Sequence, residues 1–467
     1  MQGTMNAMGS RLRAAFLSLG VSLLLLVAGP MQAQTSPEST QTLSVPQARV
    51  LARQAFQSGN LALADQLATV LLQRDSKDAE ALILRALVAR RAGALDIAEK
   101  AATDAYRFSD NPALQFDAAF LVADIKTLNE QFTRAEFWLR RADNVATDDA
   151  RREAARRAFQ NVSRLNPLSV QLRFTARPSN NVNNGAETLV IDLGGLPFFL
   201  DPSGQQLGGY EASTGISLAY RLFENETQKT EALAELFYRK IWLDSDAKEL
   251  VPTAQGSDFD YGVVIVGIRD QRLIWPDLGI TEITTLVGQS AYGHADLARW
   301  GEVKIGQTVR QSDTQQLRFA TTLRTEKRLD SDVNSSDSLA FSVDMTRAAE
   351  SGGTFGVGAT FKNVWSDSGT VDLASVALRA NRALDRIGAI QPRFNTSVEQ
   401  RNYHKFSAIA GGRDDTTLSL GIDVTFPDVS YFGFVPQASL QARRTWSTVD
   451  IYDRNEYSFG ITAVSRF

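Results

Sequence analysis

Thr417-Leu418-Ser419-Leu420-Gly421-Ile422-Asp423-Val424-Thr425-Phe426 carries an apolar residue at every even position and a small or polar one at every odd position. A period of two gives an extended strand one oily and one wet face, which a helix of the same sequence would scramble. The pattern recurs upstream. Leu317, Phe319, Thr321 and Leu323 alternate with Arg318, Ala320, Thr322 and Arg324, and Leu339, Phe341, Val343 and Met345 alternate with Ser338, Ala340, Ser342 and Asp344. Phe432, Phe434, Ala438, Leu440 and Trp446 are predicted to share one face of another strand.

Fourteen such segments are predicted, beginning near 169, 209, 229, 258, 280, 299, 314, 336, 353, 370, 388, 413, 432 and 455. An even count, at about 21 residues per strand and connection, suits an antiparallel outer-membrane barrel over 169–467. A soluble sheet would alternate in the same way, so the connections decide. If the first strand rises from the periplasm, the connections at 178–208, 244–257, 329–335 and 404–412 face outside, whereas those at 224–228, 311–313, 349–352 and 427–431 face inside and are mostly short. That asymmetry is the one such barrels show. Trp242, Trp365, Phe426, Tyr431 and Trp446 near strand ends are expected in interfacial girdles. The chain closes with Tyr457, Phe459, Ile461 and Ala463 on one face and Phe467 at its end. This resembles the signal read by the barrel assembly machinery, with Ser465 as a departure.

Residues 34–168 change period and composition. Gly59-Asn60-Leu61, Ala64 and Ala68 recur as Gly93-Ala94-Leu95, Ala98 and Ala102, an offset of 34. That is the tetratricopeptide period, in which alanines let paired helices pack closely. Phe132, Ala135 and Leu139 form a looser third copy at an offset of 37, with Asn129-Glu130 in place of the glycine. Asn111-Pro112 reads as a helix start, and a helix over 148–163 would cap the stack. An irregular helical bundle is the alternative. In the repeat register Arg49, Arg53, Phe56, Ile83, Leu87, Arg90, Phe120 and Asp124 line a concave groove suited to an extended peptide, or form a solvated scaffold face. Arg151, Arg152, Arg156, Arg157 and Arg164 give the last helix a basic face.

Arg11 and Arg13 precede the apolar run 14–28. Its 15 residues at ~1.5 Å each fall short of the ~30 Å hydrocarbon core. The segment 1–33 therefore reads as a secretory signal cut after Ala33, with an uncleaved anchor as the alternative. Charge excludes other classes: 49 Lys+Arg against 53 Asp+Glu leave −4, with no basic excess for nucleic acid. There is no cysteine, and His294 and His404 are the two histidines, both read as exposed. No metal site, cofactor, P-loop or enzymatic activity is expected.

Several stretches now carry a resemblance: Pro178-Ser179-Asn180-Asn181-Val182-Asn183-Asn184, and a C-terminal block running from Arg413 through Gly433-Phe434-Val435-Pro436, Arg443-Arg444, Ser447 and Ile451-Tyr452-Asp453 to Phe467. With the signal and the helical repeats, the chain resembles the surface lipoprotein assembly modulators (Slam), the translocons of type XI secretion. The resemblance implies a periplasmic helical domain followed by a 14-stranded barrel in the outer membrane of a Gram-negative bacterium. It implies passage of lipoproteins, or of soluble haem- and metal-scavenging proteins, to the cell surface. The expected partners are that exported client, periplasmic chaperones, the barrel assembly machinery and outer-membrane lipid. Arg318, Arg324, Glu326 and Asp423 are candidate lumen residues, alternatively an ion-pair lattice that stiffens the wall. Asn180, Asn181 and Asn183 are expected to tie the first outer loop, whose Leu196-Pro197-Phe198-Phe199-Leu200 either plugs the lumen, meets a client or packs on the rim. Two other functions stay open: an exopolysaccharide exporter, whose helical part is usually much longer, and a passive porin.

Overall fold

Alanine contacts and a repeated left-handed turn build the first half of the computed structural model, which describes residues 43–188, 190–192, 197–408 and 411–465. The expected signal segment and Phe467 lie outside the described residues. Seven helices, α1 (Val45–Gln57), α2 (Leu61–Arg74), α3 (Ala79–Arg91), α4 (Leu95–Phe108), α5 (Pro112–Leu128), α6 (Phe132–Val145) and α7 (Asp149–Leu165), each pack on the next. In addition α1, α3, α5 and α7 touch in series. The first helix of each pair ends at a residue with positive φ: Gly59 (+84°), Gly93 (+78°) and Glu130 (+57°). Each turn is closed by the same two bonds, as when Gly59 N–H donates to Phe56 O and Asn60 N–H to Ala55 O. Thr127 O and Lys126 O accept the equivalent bonds at the third turn. These bonds satisfy carbonyls that a helix end leaves open. Ala64, Ala68, Ala98, Ala102 and Ala135 are fully buried, so helix backbones approach with only a methyl between them. Asn60, Asp78, Asn111 and Asp148 cap helix starts by accepting from backbone N–H groups two or three residues on.

The second half is extended. Its strands are β1 (Leu168–Ser179), β2 (Val190–Asp192), β3 (Pro197–Phe199), β4 (Gly209–Glu224), β5 (Gln228–Leu243), β6 (Tyr261–Trp275), β7 (Gly279–Tyr292) and β8 (Ala295–Arg310). They continue with β9 (Gln315–Arg328), β10 (Ser336–Ala348), β11 (Thr354–Ser366), β12 (Leu373–Ala383), β13 (Gln391–Tyr403), β14 (Arg413–Thr425), β15 (Phe434–Ser447) and β16 (Arg454–Ser465). β2 and β3 form a small hairpin inside the first connection. The other 14 close into one antiparallel barrel in which β1 pairs with both β4 and β16. Barrel strands start within four residues of the expected positions, the largest difference being Ala295 against 299. One placement changes: Phe432 precedes β15, in a turn with φ +49°, so it does not share that strand's face.

Alternation sorts the side chains. Leu420 is 52% exposed, Phe361 52% and Ile461 57%, and Val264, Val266, Leu323, Phe341, Leu378 and Leu440 lie on the same outer surface, paired strand to strand. A wall of such residues is stable against lipid and not against water. Aromatic side chains flank it. Tyr210, Trp242, Trp365 and Trp446 stand at the rim that carries the first connection, and Tyr220, Trp275 and Tyr431 stand at the opposite rim. Among the described residues no helix is long and apolar enough to cross a membrane.

A short joint links the two halves. The Arg221 guanidinium donates to the carbonyls of Arg164, Leu165 and Asn166 (2.9, 3.1 and 3.3 Å) and pairs with Glu224. The Asn166 side chain donates to Thr133 and Glu136 of α6 and accepts from Leu168 N–H. The exit of α7 is therefore held at the start of β1.

Candidate functional site

The barrel interior and its looped rim gather most of the charged and amide side chains singled out from the sequence. Asn181 and Asn183 shape the first connection. Asn181 is buried and exchanges two bonds with Gly185, while the Asn183 amide donates to Ser203 O and Gln205 O and accepts from Leu207 N–H. Val182 and Leu207 then pack with Ile241, Leu243, Ala247 and Val251, the last four from β5 and the connection holding a short helix, α8 (Ser245–Leu250). Asp260 fastens this rim cluster. Burial pushes its carboxyl up, but bonds donated by Lys240, by Ile241 N–H and by the Tyr238 hydroxyl (2.7, 2.9 and 2.9 Å) together hold it below the usual carboxylate range. Phe198 enters β3 through its backbone, and Phe199 is 76% exposed at the hairpin.

Inside the wall the charges are cross-braced. Arg318 pairs with Glu282 on β7 (2.7 Å), and Arg324 pairs with Glu326 (2.6 Å) and Glu302 (3.6 Å). The Arg324 guanidinium also lies 4.1 Å from the ring centre of Trp300. That indole occupies the space over Gly288, where an added Cβ would fall 2.4 Å from a ring atom. Asp423 accepts from Asn395 on β13 (2.9 Å). Near the looped rim Arg413 and Asp415 form a buried bidentate pair (2.6 and 3.0 Å), with Arg413 3.1 Å from the Tyr452 ring centre and 3.9 Å from that of Tyr403. Single pairs of this kind add little net stability.

A cavity of about 490 Å³ lies in the bore, lined by the continuous arc of strands from β5 through β4, β1 and β16 round to β12, with Asn181 and Asn184 reaching it from the first connection. Arg177, Glu211, Arg239, Arg379, Arg443 and Glu456 are its charged lining. Arg318 and Arg324 are not part of it.

The residues expected on the inner helical face are divided among several contacts. Arg49, Arg53, Ile83 and Leu87 line one cavity of about 160 Å³ together with Glu80 and Asp117. Arg49 bonds Asp78 (2.7 Å), which raises its pKa despite burial, and also Glu80 (3.2 Å), to which Arg53 adds a 3.5 Å contact. Arg90 pairs with Asp124, Phe56 stacks beneath Arg91 at 5.7 Å, and Phe120 packs on Phe116 at 5.7 Å; Arg90, Asp124, Phe56 and Phe120 lie outside that lining. On α7, Arg151, Arg152, Arg156 and Arg157 have acidic partners: Asp148, Asp149, Asp143 and Glu153. Tyr457, Phe459 and Ile461 share the outer face of β16, each about half exposed. His294 is exposed near Asp258 (3.4 Å), and His404 is exposed beyond β13.

Sequence reading passed over Arg239, Asp260 and Trp300. Arg413-x-Asp415 carried a visible period-two signal, whereas Asp260 precedes its strand and acquires its partners through the β5–β6 fold.

Three solved structures resemble parts of the chain at low identity. The Yersinia enterocolitica type III secretion translocator chaperone SycD is 19% identical over 27% of this chain and 86% of its own, with a TM-score of 0.24. A bacterial polysaccharide outer membrane secretin is 9% identical over 64% and 98%, with a TM-score of 0.33. Acinetobacter baumannii OccAB3 is 9% identical over 64% and 99%, with a TM-score of 0.34. Likenesses at these scores carry no weight, and the fold rests on the strand pairing itself. No curated protein matches the chain. The family described as surface lipoprotein assembly modifier matches residues 210–467.

Proposed function

The chain belongs to the surface lipoprotein assembly modifier family, which gives this outer-membrane barrel a role in surface lipoprotein assembly, and from that premise we propose that it is the translocon through which the client crosses. The observation that carries the reading is the bore. A 14-strand cylinder exceeds the eight-strand size that side chains alone fill, and this one holds a polar cavity. The helical half sits in the periplasm and takes an extended segment of the client along the face marked by Arg49, Arg53, Ile83 and Leu87. Tetratricopeptide-like pairing of α1 to α6, with its three equivalent left-handed turns, supports that use.

Clients include lipoproteins and, in the wider reading, soluble haem- or metal-scavenging proteins delivered by periplasmic chaperones. The barrel assembly machinery inserts the chain by way of Tyr457, Phe459, Ile461 and the terminal Phe467. Without a nucleotide, client folding on the far side drives net movement. Reconstitution tests this. Full-length protein in liposomes, given an unfolded lipoprotein held by a periplasmic chaperone, is expected to render that client protease-resistant across the bilayer. Failure with every client and chaperone pair tried would overturn the proposal.

A further inference from the structure

The bore cavity is lined unevenly in charge. Four arginines, Arg177, Arg239, Arg379 and Arg443, face two glutamates, Glu211 and Glu456. The chain as a whole is acidic by 4 charges, so the excess does not follow from composition. Glu211 is taken by Arg177 (2.8 Å) and Glu456 by Arg443 (3.5 Å), while Arg379 pairs with Asp344 on the neighbouring wall (2.5 Å). Arg239 has no acidic partner among the described residues, and its Nε is buried without a hydrogen-bond partner. Two more arginines turn inward outside the cavity lining: Arg173 lies next to outward Phe174, and Arg393 next to outward Phe394 and opposite Asp423 in the ladder; neither forms an ion pair among the described residues.

A planar guanidinium with an unused donor, in a partly desolvated bore, is matched by a carboxylate. Asn381 and Asn395 line the same cavity on the facing wall, Asn395 already donating one bond to Asp423, and their amides can bond a peptide backbone. On the translocation reading the occupant of the bore is an extended chain. We propose that this cavity is a carboxylate-binding station for an extended acidic polypeptide, with Arg239 as its unpaired anchor. The proposal rests on the translocation reading for its biological occupant, although the binding itself can be measured without transport.

The test uses the full chain in detergent micelles and fluorescence anisotropy of a labelled oligoglutamate peptide, with oligolysine as its counterpart. Oligoglutamate is expected to bind and oligolysine not, and Arg239→Gln is expected to weaken binding about tenfold, equivalent to roughly 1.4 kcal/mol. Arg239→Lys, which keeps the charge and loses the fork, should retain part of the affinity, and heat-modified gel mobility reports that each variant is folded. Equal binding of the two peptides, or no change in Arg239→Gln, would overturn the station. Free glutamate competing as strongly as the peptide would make it a small-anion site and overturn the polypeptide. Peptide binding that persists while liposome transport fails would sink the translocation reading alone.

Discussion

The Asn180 side chain pairs with β16 as a backbone peptide would: its Oδ1 accepts from Tyr457 N–H (2.8 Å) and its Nδ2 donates to Asn455 O (2.8 Å). It does so just beyond an interruption in the closing seam of the barrel. Between β1 and β16 the ladder runs from Arg173↔Val464 to Ala176↔Ile461 and resumes at Ser179↔Ser458. Pro178, which has no N–H to give, lies in the gap. On its other side β1 pairs with β4 without a break from Leu168 to Ser179.

Asn180→Ala removes both bonds at the seam. At about 0.5–1.5 kcal/mol per bond, the barrel is expected to lose roughly 1–3 kcal/mol. Urea unfolding of the detergent-held protein, read by gel mobility, measures it. An unchanged midpoint would mean that the seam is held elsewhere.

Phe341 and Ser342 are neighbours near the middle of β10, and the alternation sends one to lipid and the other to the bore. Phe341→Arg is expected to cost about 2–4 kcal/mol or to prevent insertion, whereas Ser342→Arg, beside Asp344, should insert and stay folded. Equal tolerance of both would contradict the assignment of faces.

Glu130 adopts the left-handed conformation that Gly59 and Gly93 adopt at the equivalent turns. A side chain there costs about 1–2 kcal/mol, part of which glycine gives back through a freer unfolded chain. Glu130→Gly should therefore raise the melting temperature of the helical circular-dichroism signal in the full chain. A lower one would mean that the glutamate has a compensating contact.

Burial is the main influence on Glu136 and Asp143 and pushes both carboxyls up, against Asn166, Arg140, Arg156 and Arg152. Carboxyls raised in the folded state favour folding fully below their unfolded value, about 4, and lose that contribution as pH rises through the raised value. The helical signal should accordingly melt at higher temperature in mild acid than at neutral pH. Asp143→Asn should flatten the difference, and a melting temperature that falls steadily with acidification would contradict the burial account.

The two faces of the barrel strands were legible because a period of two is a local property, visible at 417–426 without knowing any partner strand. Turns were harder to place: Phe432 continued the apolar count of its neighbours, yet the chain reverses there with a positive φ. The helical repeat was legible at Gly59 and Gly93, and dimly at Glu130, where the turn persisted after its glycine had gone. The bore was the least legible. Arg239 looks like any strand arginine until β5 and β12 face one another across the cylinder, and which cations lack partners depends on registers that no single strand encodes.

The central claim, that this barrel delivers lipoproteins to the surface, is tested most directly by protease shaving of intact cells. With the protein deleted, surface lipoproteins should become inaccessible to protease while total cellular lipoprotein is retained, and the wild-type chain should restore their cleavage. Identical shaving patterns with and without the protein would contradict it.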